Sequence, residues 1–140
     1  MSVRNVITQI YKSRLNILNI LEAVYDYDVS DYSGFSINEV DAMINNNQLD
    51  MLLTHKKGLD DEPNEPIHKT YIKYVINSSV NTNTITSIVD DLFVLSDTLT
   101  QKDCLCIIYE GEPNDTVIRH LNYIYENSGT FVVVNNLARL

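Results

Sequence analysis

Apolar residues at the start of the chain recur at the spacing of one face of a helix. Between residues 3 and 24 they are separated by three, four or seven positions, which predicts an amphipathic helix over Val3–Val24. The next segment, Tyr25–Ser33, is rich in Asp, Ser and Tyr and is typical of a loop. The apolar stripe contains Val3, Ile7, Ile10, Ile17, Leu21 and Val24, whereas Lys12, Arg14, Asn16 and Asn19 fall mainly outside it.

A second, shorter helix is predicted from a capping pattern. Ser36 and Glu39 have the spacing of a capping box, in which the serine hydroxyl accepts from the backbone of the glutamate and the carboxylate reaches back. This pattern predicts a helix over about Ile37–Asn46. The run Asn45–Asn47 supplies its stop, because asparagine tolerates the left-handed conformation at a helix end.

Two segments with alternating polarity are predicted to form an antiparallel pair of strands. Leu49, Met51 and Leu53 alternate with polar neighbours in the segment Gln48–His55, and Lys69–Ile76 alternates in the same way. The segment between them, Lys56–Ile67, contains glycine, prolines and acidic residues, and it is predicted to be a solvated loop or hairpin tip.

The last third of the chain reads as a βαβ unit. Cys104–Tyr109 is a continuous apolar run, as expected for a strand covered on both faces. A helix capped by Asn114 or Asp115 is predicted to run to Asn127 and to stop at Gly129, before a second buried strand, Thr130–Val134. Its predicted inward residues are Ile118, Leu121, Ile124 and Tyr125. Upstream, Ile85–Leu99 is predicted to be one helix, with Ile85, Ile88, Val89, Leu92, Leu95 and Leu99 on one face.

These elements predict an α/β fold in the order ααββαβαβ, with a mixed four-stranded sheet flanked by helices. The strands of the βαβ unit are expected to be parallel and joined by a right-handed crossover. Ile107 and Val133 are expected to be buried on central strands. The length of 140 residues fits one domain, residues 1–140, and nothing in the sequence indicates a repeat or a second domain.

Charge and composition limit the functions open to this chain. The net charge of −9 opposes unassisted binding to nucleic acid, whose affinity comes largely from Lys and Arg. No apolar run approaches the roughly 20 residues that span a bilayer, so no membrane partner is expected. The glycines are scattered and the histidines have no ligand spacing, so we expect no metal, cofactor or catalytic group. Cys104 and Cys106 are interpreted as two buried thiols on one face of a strand, which suits a reducing compartment.

Aromatic residues in the loop after the first helix are the candidate partner-binding residues. Tyrosine is enriched at protein interfaces. Tyr25, Tyr27 and Tyr32 fall in this loop, and Phe35 follows them. Two interpretations stay open: the side chains pack on the edge of the sheet, or they form a docking patch.

Several motifs, taken in order, resemble one protein family. The segments are Tyr11–Arg14 with Ile17–Glu22, Tyr27–Tyr32, Phe35–Val40, Cys104–Tyr109 with Pro113 four residues later, and Thr130–Asn136. In order and spacing they resemble the jaw, or N-terminal, domain of the fifth subunit of eukaryotic-type DNA-directed RNA polymerases. The Asn-rich turns and divergent front half look most like versions from large cytoplasmic DNA viruses.

The resemblance implies a non-catalytic subunit of a viral RNA polymerase in the host cytoplasm, in viral factories, and in the virion. The implied partners are the largest polymerase subunit, the other subunits and, only within the assembly, downstream DNA. The implied DNA-proximal residues lie in the turn after Cys104–Tyr109: Pro113, Asn114, Thr116 and Arg119. This turn is more acidic than the family's. The family's C-terminal assembly domain is expected to be absent, since the chain ends at Leu140.

The family's jaw fold is similar to that of restriction endonucleases, so a metal-dependent nuclease is one alternative. Such enzymes need an acidic metal ligand and then an Asp/Glu-x-Lys motif on the next strand. Asp50 and Lys73 take two of these places, but Tyr71 stands where the second carboxylate is needed. A further alternative is a regulatory or host-interaction protein that reuses the fold.

Overall fold

The computed structural model describes residues 3–55, 69–76, 80–96, 98–100, 103–111 and 114–139. Within them the chain is mixed α/β. The helices are α1 (Val3–Ala23), α2 (Ile37–Asn45), α3 (Thr82–Asp90) and α4 (Asp115–Ser128), with a π-helical segment at Asp91–Leu95 and a 3₁₀ turn at Leu137–Arg139. The strands are β1 (Tyr27–Asp28), β2 (Met51–His55), β3 (Lys69–Val75), β4 (Cys104–Tyr109) and β5 (Phe131–Asn136).

The strands form one mixed, open sheet in chain order, β1-β2-β3-β4-β5. Both pairs within β1–β3 are antiparallel, and β3–β4 and β4–β5 are parallel. The predicted hairpin pairing and the predicted parallel pairing of the βαβ unit are therefore confirmed. The predicted loop Lys56–Ile67 lies outside the described residues.

The predicted strand count of four is wrong, because the described sheet has five strands. The additional strand is β1, whose residues Tyr27 and Asp28 pair with His55 and Thr54. The segment was predicted to be a loop because its composition is polar. Two residues are too few to show alternation, so only the neighbouring strand reveals the pairing.

The capping box that predicted α2 is present. The backbone N–H of Glu39 donates to Ser36 Oγ at 3.2 Å, and the N–H of Ser36 donates to Glu39 Oε1 at 3.0 Å. The helix ends where the asparagine run predicted, and Asn47 adopts the left-handed conformation with a φ of 54°. The predicted end of α2 is confirmed, because the residues next to the helix end decide where the helix stops.

The helix predicted over Ile85–Leu99 begins earlier, at Thr82, and its α-helical part ends earlier, at Asp90. Asn81 caps it, accepting from the N–H of Thr84 at 2.9 Å, so α3 starts at Thr82. After Asp90 the backbone widens into the π-helical segment. This change of period takes Leu95 out of the apolar face, and its side chain is 78% exposed.

The inward face of α4 is rotated from the predicted one. Val117 is buried, and Leu121 and Ile124 pack beside it. Ile118 and Tyr125, which were predicted to point inward, are exposed. The helix carries apolar residues around much of its circumference, so the position of the sheet decides which of them are covered. Gly129, with a φ of 71°, ends the helix as predicted.

The core lies on both faces of the sheet. Side chains of α1 and α2 pack with Met51, Leu53, Ile72 and Ile108 on one face. Side chains of α3 and α4 pack with Leu105 and Ile107 on the other face. Strand β4 therefore contributes to both halves of the core, as its continuous apolar run predicted.

Strand β5 differs from the prediction of a second central, buried strand. It lies at the edge of the sheet, and its residues are partly or largely exposed. Val133 is partly buried, whereas Ile107 is fully buried at 0% exposure. A run of valines gives no indication of which strand of a sheet stands at the edge.

The edge position of β5 predicts unequal effects of truncation on the free energy of unfolding. Ile107→Ala should lower it by about 2–5 kcal/mol, the usual cost of removing a large core side chain. Val133→Ala should cost only about 1 kcal/mol, because a buried methylene contributes about 0.8 kcal/mol and Val133 keeps solvent contact. Urea denaturation measures both values. Equal losses would show that β5 is not an edge strand.

Candidate functional site

The turn after β4, predicted to lie near DNA, is built by a helix cap. Asn114 Oδ1 accepts from the N–H of Val117 at 2.9 Å, which fixes the start of α4. Buried Val117 anchors this first turn on the sheet. Thr116 and Arg119 remain exposed on its outer side, and Pro113 lies outside the described residues.

Arg119 is the cation of this turn, and its surroundings are mixed. Its Nε donates to the carbonyl of Asp115 at 3.3 Å, which leaves the exposed guanidinium near the start of α4. The carboxylates of Glu110 and Asp115 are also exposed here. The turn therefore offers one positive group among negative ones. The positive charge of Arg119 alone therefore does not create a binding site for an anion.

The four aromatic residues predicted to bind a partner take different places in the structure. The side chain of Tyr27 is buried, and its hydroxyl accepts a hydrogen bond of 2.8 Å from Thr70 Oγ1. The Tyr32 hydroxyl accepts from the N–H of Leu52 at 3.0 Å. Phe35 packs against the core. Tyr25 differs from these three, because its side chain is 56% exposed.

Tyr25 lines an apolar groove that no pattern in the sequence predicted. The groove has a volume of about 470 Å³ and lies between the second half of α1 and the amino-terminal ends of β3, β4 and β5. Only the packing of α1 across the sheet creates it, so no local pattern marked it. Its walls include Ile20, Leu21, Cys104, Cys106, Phe131 and Val133.

Both cysteines face this groove as free thiols, which confirms that they share one face of a strand, but they are only partly buried and not buried as predicted. Burial raises the pKa of Cys104 to about 11, and the neighbouring Cys106 and Asp103 add to the rise. Burial also raises the pKa of Cys106. Because the thiolate is the reactive form, both groups act here as small apolar side chains.

Asp50 and Lys73 are brought together, as the nuclease alternative requires, and Tyr71, which stands where that alternative needs a second carboxylate, joins them. The carboxylate Oδ2 of Asp50 accepts from Lys73 Nζ at 2.9 Å and from the Tyr71 hydroxyl at 3.0 Å. Its Oδ1 accepts from the N–H of Tyr74 at 3.1 Å. Burial and the adjacent Asp50 carboxylate raise the pKa of Tyr71, so this hydroxyl stays a protonated donor.

The carboxylate of Asp50 is thus occupied by donors from its own chain. A metal site would need further carboxylate, cysteine or histidine ligands beside it. In the part of the chain that the structure describes, no three such residues are grouped to hold a metal ion. The geometry of this cluster is that of a structural link between the start of β2 and strand β3.

No protein-family model matches the chain, and no curated protein matches its sequence. Among the described helices, none is long and apolar enough to cross a membrane. The function is therefore inferred from the residues themselves.

The Asp50 cluster yields a prediction for stability. Asp50→Ala removes the acceptor of the Tyr71 hydroxyl and the Tyr74 N–H, and leaving partly buried donors unsatisfied costs about 1–3 kcal/mol. Asp90→Ala, an exposed carboxylate on α3, is the matched control and should change stability by less than about 0.5 kcal/mol. Thermal or urea denaturation of both variants measures the difference. Equal effects would mean that the carboxylate carries no structural role.

Proposed function

We propose that this chain is a non-catalytic subunit of a viral DNA-directed RNA polymerase, equivalent to the jaw domain of the fifth subunit. The proposal rests on the order and spacing of the motifs that resemble that family. Two of them, Cys104–Tyr109 and the segment ending at Asn136, are neighbouring parallel strands, paired residue by residue from Cys104 with Phe131 to Tyr109 with Asn136. This pairing supports the view that the two motifs belong to one structural unit.

The finer fold assignment is part of the same proposal. The mixed sheet, with two antiparallel pairings followed by two parallel ones and helices on both faces, is compatible with a restriction-endonuclease-like jaw fold. Folds of this kind serve enzymes and non-enzymes alike, so the side chains have to decide between them. The occupied carboxylate of Asp50 favours a non-catalytic role.

Charge supports a role within an assembly over a role as an isolated DNA-binding protein. The net charge of −9 repels a polyanion, and the turn with Arg119 is flanked by carboxylates. In the proposed polymerase the larger subunits supply the positive field, and this turn sets the distance between jaw and downstream DNA. The exposed Tyr25 beside the apolar groove is the proposed point of contact with the polymerase body.

Two other functions are kept as alternatives. A regulatory or host-interaction protein would use the same groove outside a polymerase. A metal-dependent nuclease would use Asp50 and Lys73, whose Oδ2 and Nζ atoms lie 2.9 Å apart. Cleavage of duplex DNA with Mg²⁺ or Mn²⁺ that disappears in Asp50→Ala would favour the nuclease over the non-catalytic subunit.

Co-purification tests the central proposal. A tagged version of the chain, expressed during infection, should recover the largest polymerase subunit in stoichiometric amount. Tyr25→Ala should reduce this recovery several-fold, because it removes an exposed aromatic contact. Tyr123→Ala is the control, since Tyr123 is similarly exposed but lies on α4 and does not line the groove. Recovery of host proteins without polymerase subunits would instead support the host-interaction alternative.

The DNA-proximal turn is tested in a reconstituted polymerase. Arg119→Glu should shorten the lifetime of elongation complexes at moderate salt, because it places a negative charge next to phosphate. The difference from wild type should shrink as salt rises, since the Debye length falls from about 10 Å at 0.1 M to about 3 Å at 1 M. Lys12→Glu on α1, an exposed residue with the same charge reversal, should leave the lifetime unchanged. Equal effects of the two variants would contradict a specific role for the turn.

A further inference from the structure

Arg14 on α1 is a buried cation that its own chain leaves largely unpaired. Its side chain is only 3% exposed, although the polar residues of α1 were predicted to fall mainly outside the apolar face. Its Nη1 donates to the carbonyl of Leu49 at 2.6 Å. A guanidinium has five N–H donors, and a buried one is normally paired with a carboxylate. Among the described residues, no carboxylate lies within salt-bridge distance of it.

The nearest candidate counter-ion is already engaged. Asp50 lies close enough to interact with Arg14 electrostatically, but its two oxygens accept from Lys73, Tyr71 and Tyr74. Burial lowers the pKa of Arg14, an effect that the nearby Tyr74, Tyr32 and Asp50 offset only in part. The charge of Arg14 is therefore under-compensated inside the described fold.

The free donors of Arg14 keep a route to solvent. None of its nitrogens is among the side-chain atoms of the described residues that are sealed from solvent and lack a partner. Arg14 lines a cavity of about 130 Å³ between α1, the loop after β1 and the start of α2. The guanidinium thus meets solvent at a cavity, where a ligand can reach it.

The cavity supplies a second donor and an apolar wall. The oxygen of the Tyr32 hydroxyl accepts from Leu52, and its proton is left to donate. Tyr32 lines the same cavity. An apolar part of the wall is formed by Leu15, Leu18, Val29, Phe35 and Val40, and the polar residues Asn19, Glu22 and Ser33 also line the cavity. Two donors beside an apolar wall suit a carboxylate on a short hydrocarbon stem.

The size of the cavity restricts what can enter. Pockets for drug-sized ligands measure about 300–1,000 Å³, so a volume of about 130 Å³ excludes a nucleotide. It has room for a group the size of a few water molecules, each of which takes about 30 Å³ of liquid. An acidic side chain or a small organic acid fits this limit.

We propose that the Arg14 cavity is a binding site for a carboxylate carried on a short apolar stem, held by the Arg14 guanidinium and the Tyr32 hydroxyl. Glu22 also lines the cavity and is exposed, so its own carboxylate repels an incoming anion and weakens binding. The site does not depend on the polymerase proposal. Its ligand is either a free organic acid or an acidic side chain of a partner protein.

Titrations followed by ¹H–¹⁵N NMR on the full chain test the site with two carboxylate probes. Sodium isobutyrate stands for a free acid, and the blocked peptide acetyl-Ala-Glu-Ala-amide stands for a protein side chain, with its Gln counterpart as control. We expect saturable shifts confined to the cavity for at least one probe, and none for the Gln peptide. Binding of isobutyrate alone assigns the site to small acids, whereas binding of the Glu peptide assigns it to a partner protein.

Matched variants separate a specific site from general charge effects. Arg14→Gln should weaken binding at least about tenfold, since hydrogen bonds to charged groups contribute more than one factor of ten in affinity. Lys12→Gln removes the same charge from the exposed side of α1 and should leave the Kd unchanged. Glu22→Gln should tighten binding a few-fold, because it removes the repulsion.

A second variant covers the case in which Arg14→Gln does not fold. Asn19→Trp leaves Arg14 itself unchanged, places a large side chain at the cavity from the exposed face of α1, and should abolish binding. The proposal is overturned if neither carboxylate probe gives saturable shifts, if Asn19→Trp binds as well as wild type, or if inorganic phosphate binds as tightly as isobutyrate.

Discussion

Strand β4 is the element on which the rest of the fold depends, because it is covered on both faces. Leu105 and Ile107 are sealed beneath α3 and α4, and Ile108 is sealed beneath α1 and α2. Both parallel pairings of the sheet run through this strand. Its six residues contain no charge that would need solvent, so they can occupy the centre. The helices on the two faces of the sheet therefore pack against the same strand.

Polar links attach the front half of the chain to this centre. Buried Ser13 on α1 shares a hydrogen bond of 2.8 Å with the Tyr74 hydroxyl, and burial is the main cause that raises the pKa of Tyr74 to about 12. Tyr27 and Tyr32 use their hydroxyls to bind β3 and β2. Tyrosine serves this purpose because it buries an apolar ring and still satisfies a polar partner. The tyrosine-rich segment is thereby mostly structural, with Tyr25 as its exposed member.

The two surfaces proposed to contact other molecules lie at opposite ends of β4. The apolar groove contacts Cys104 at its start, and the turn that leads to Arg119 follows Tyr109 at its end. Five steps along a strand at about 3.3 Å each separate these ends by roughly 17 Å. In the proposed polymerase this spacing lets one end face the protein body and the other face DNA. The Arg14 cavity is separate from the groove: it lies between α1, the loop after β1 and α2, and the two share no lining residue.

The sequence by itself determined the elements whose signals are local. The capping box of α2, the stop at Gly129, the alternation in β2 and β3, and the apolar run of β4 each depend on neighbouring residues, and each appears where it was predicted. Only the tertiary structure decided which residues meet across the fold. The pairing of Tyr27–Asp28, the edge position of β5, the burial of Arg14 and the meeting of Asp50 with Lys73 all join segments far apart in the chain. Periodicity shows which face of a helix or strand is apolar, but it does not show what covers that face, because coverage depends on how separate elements pack.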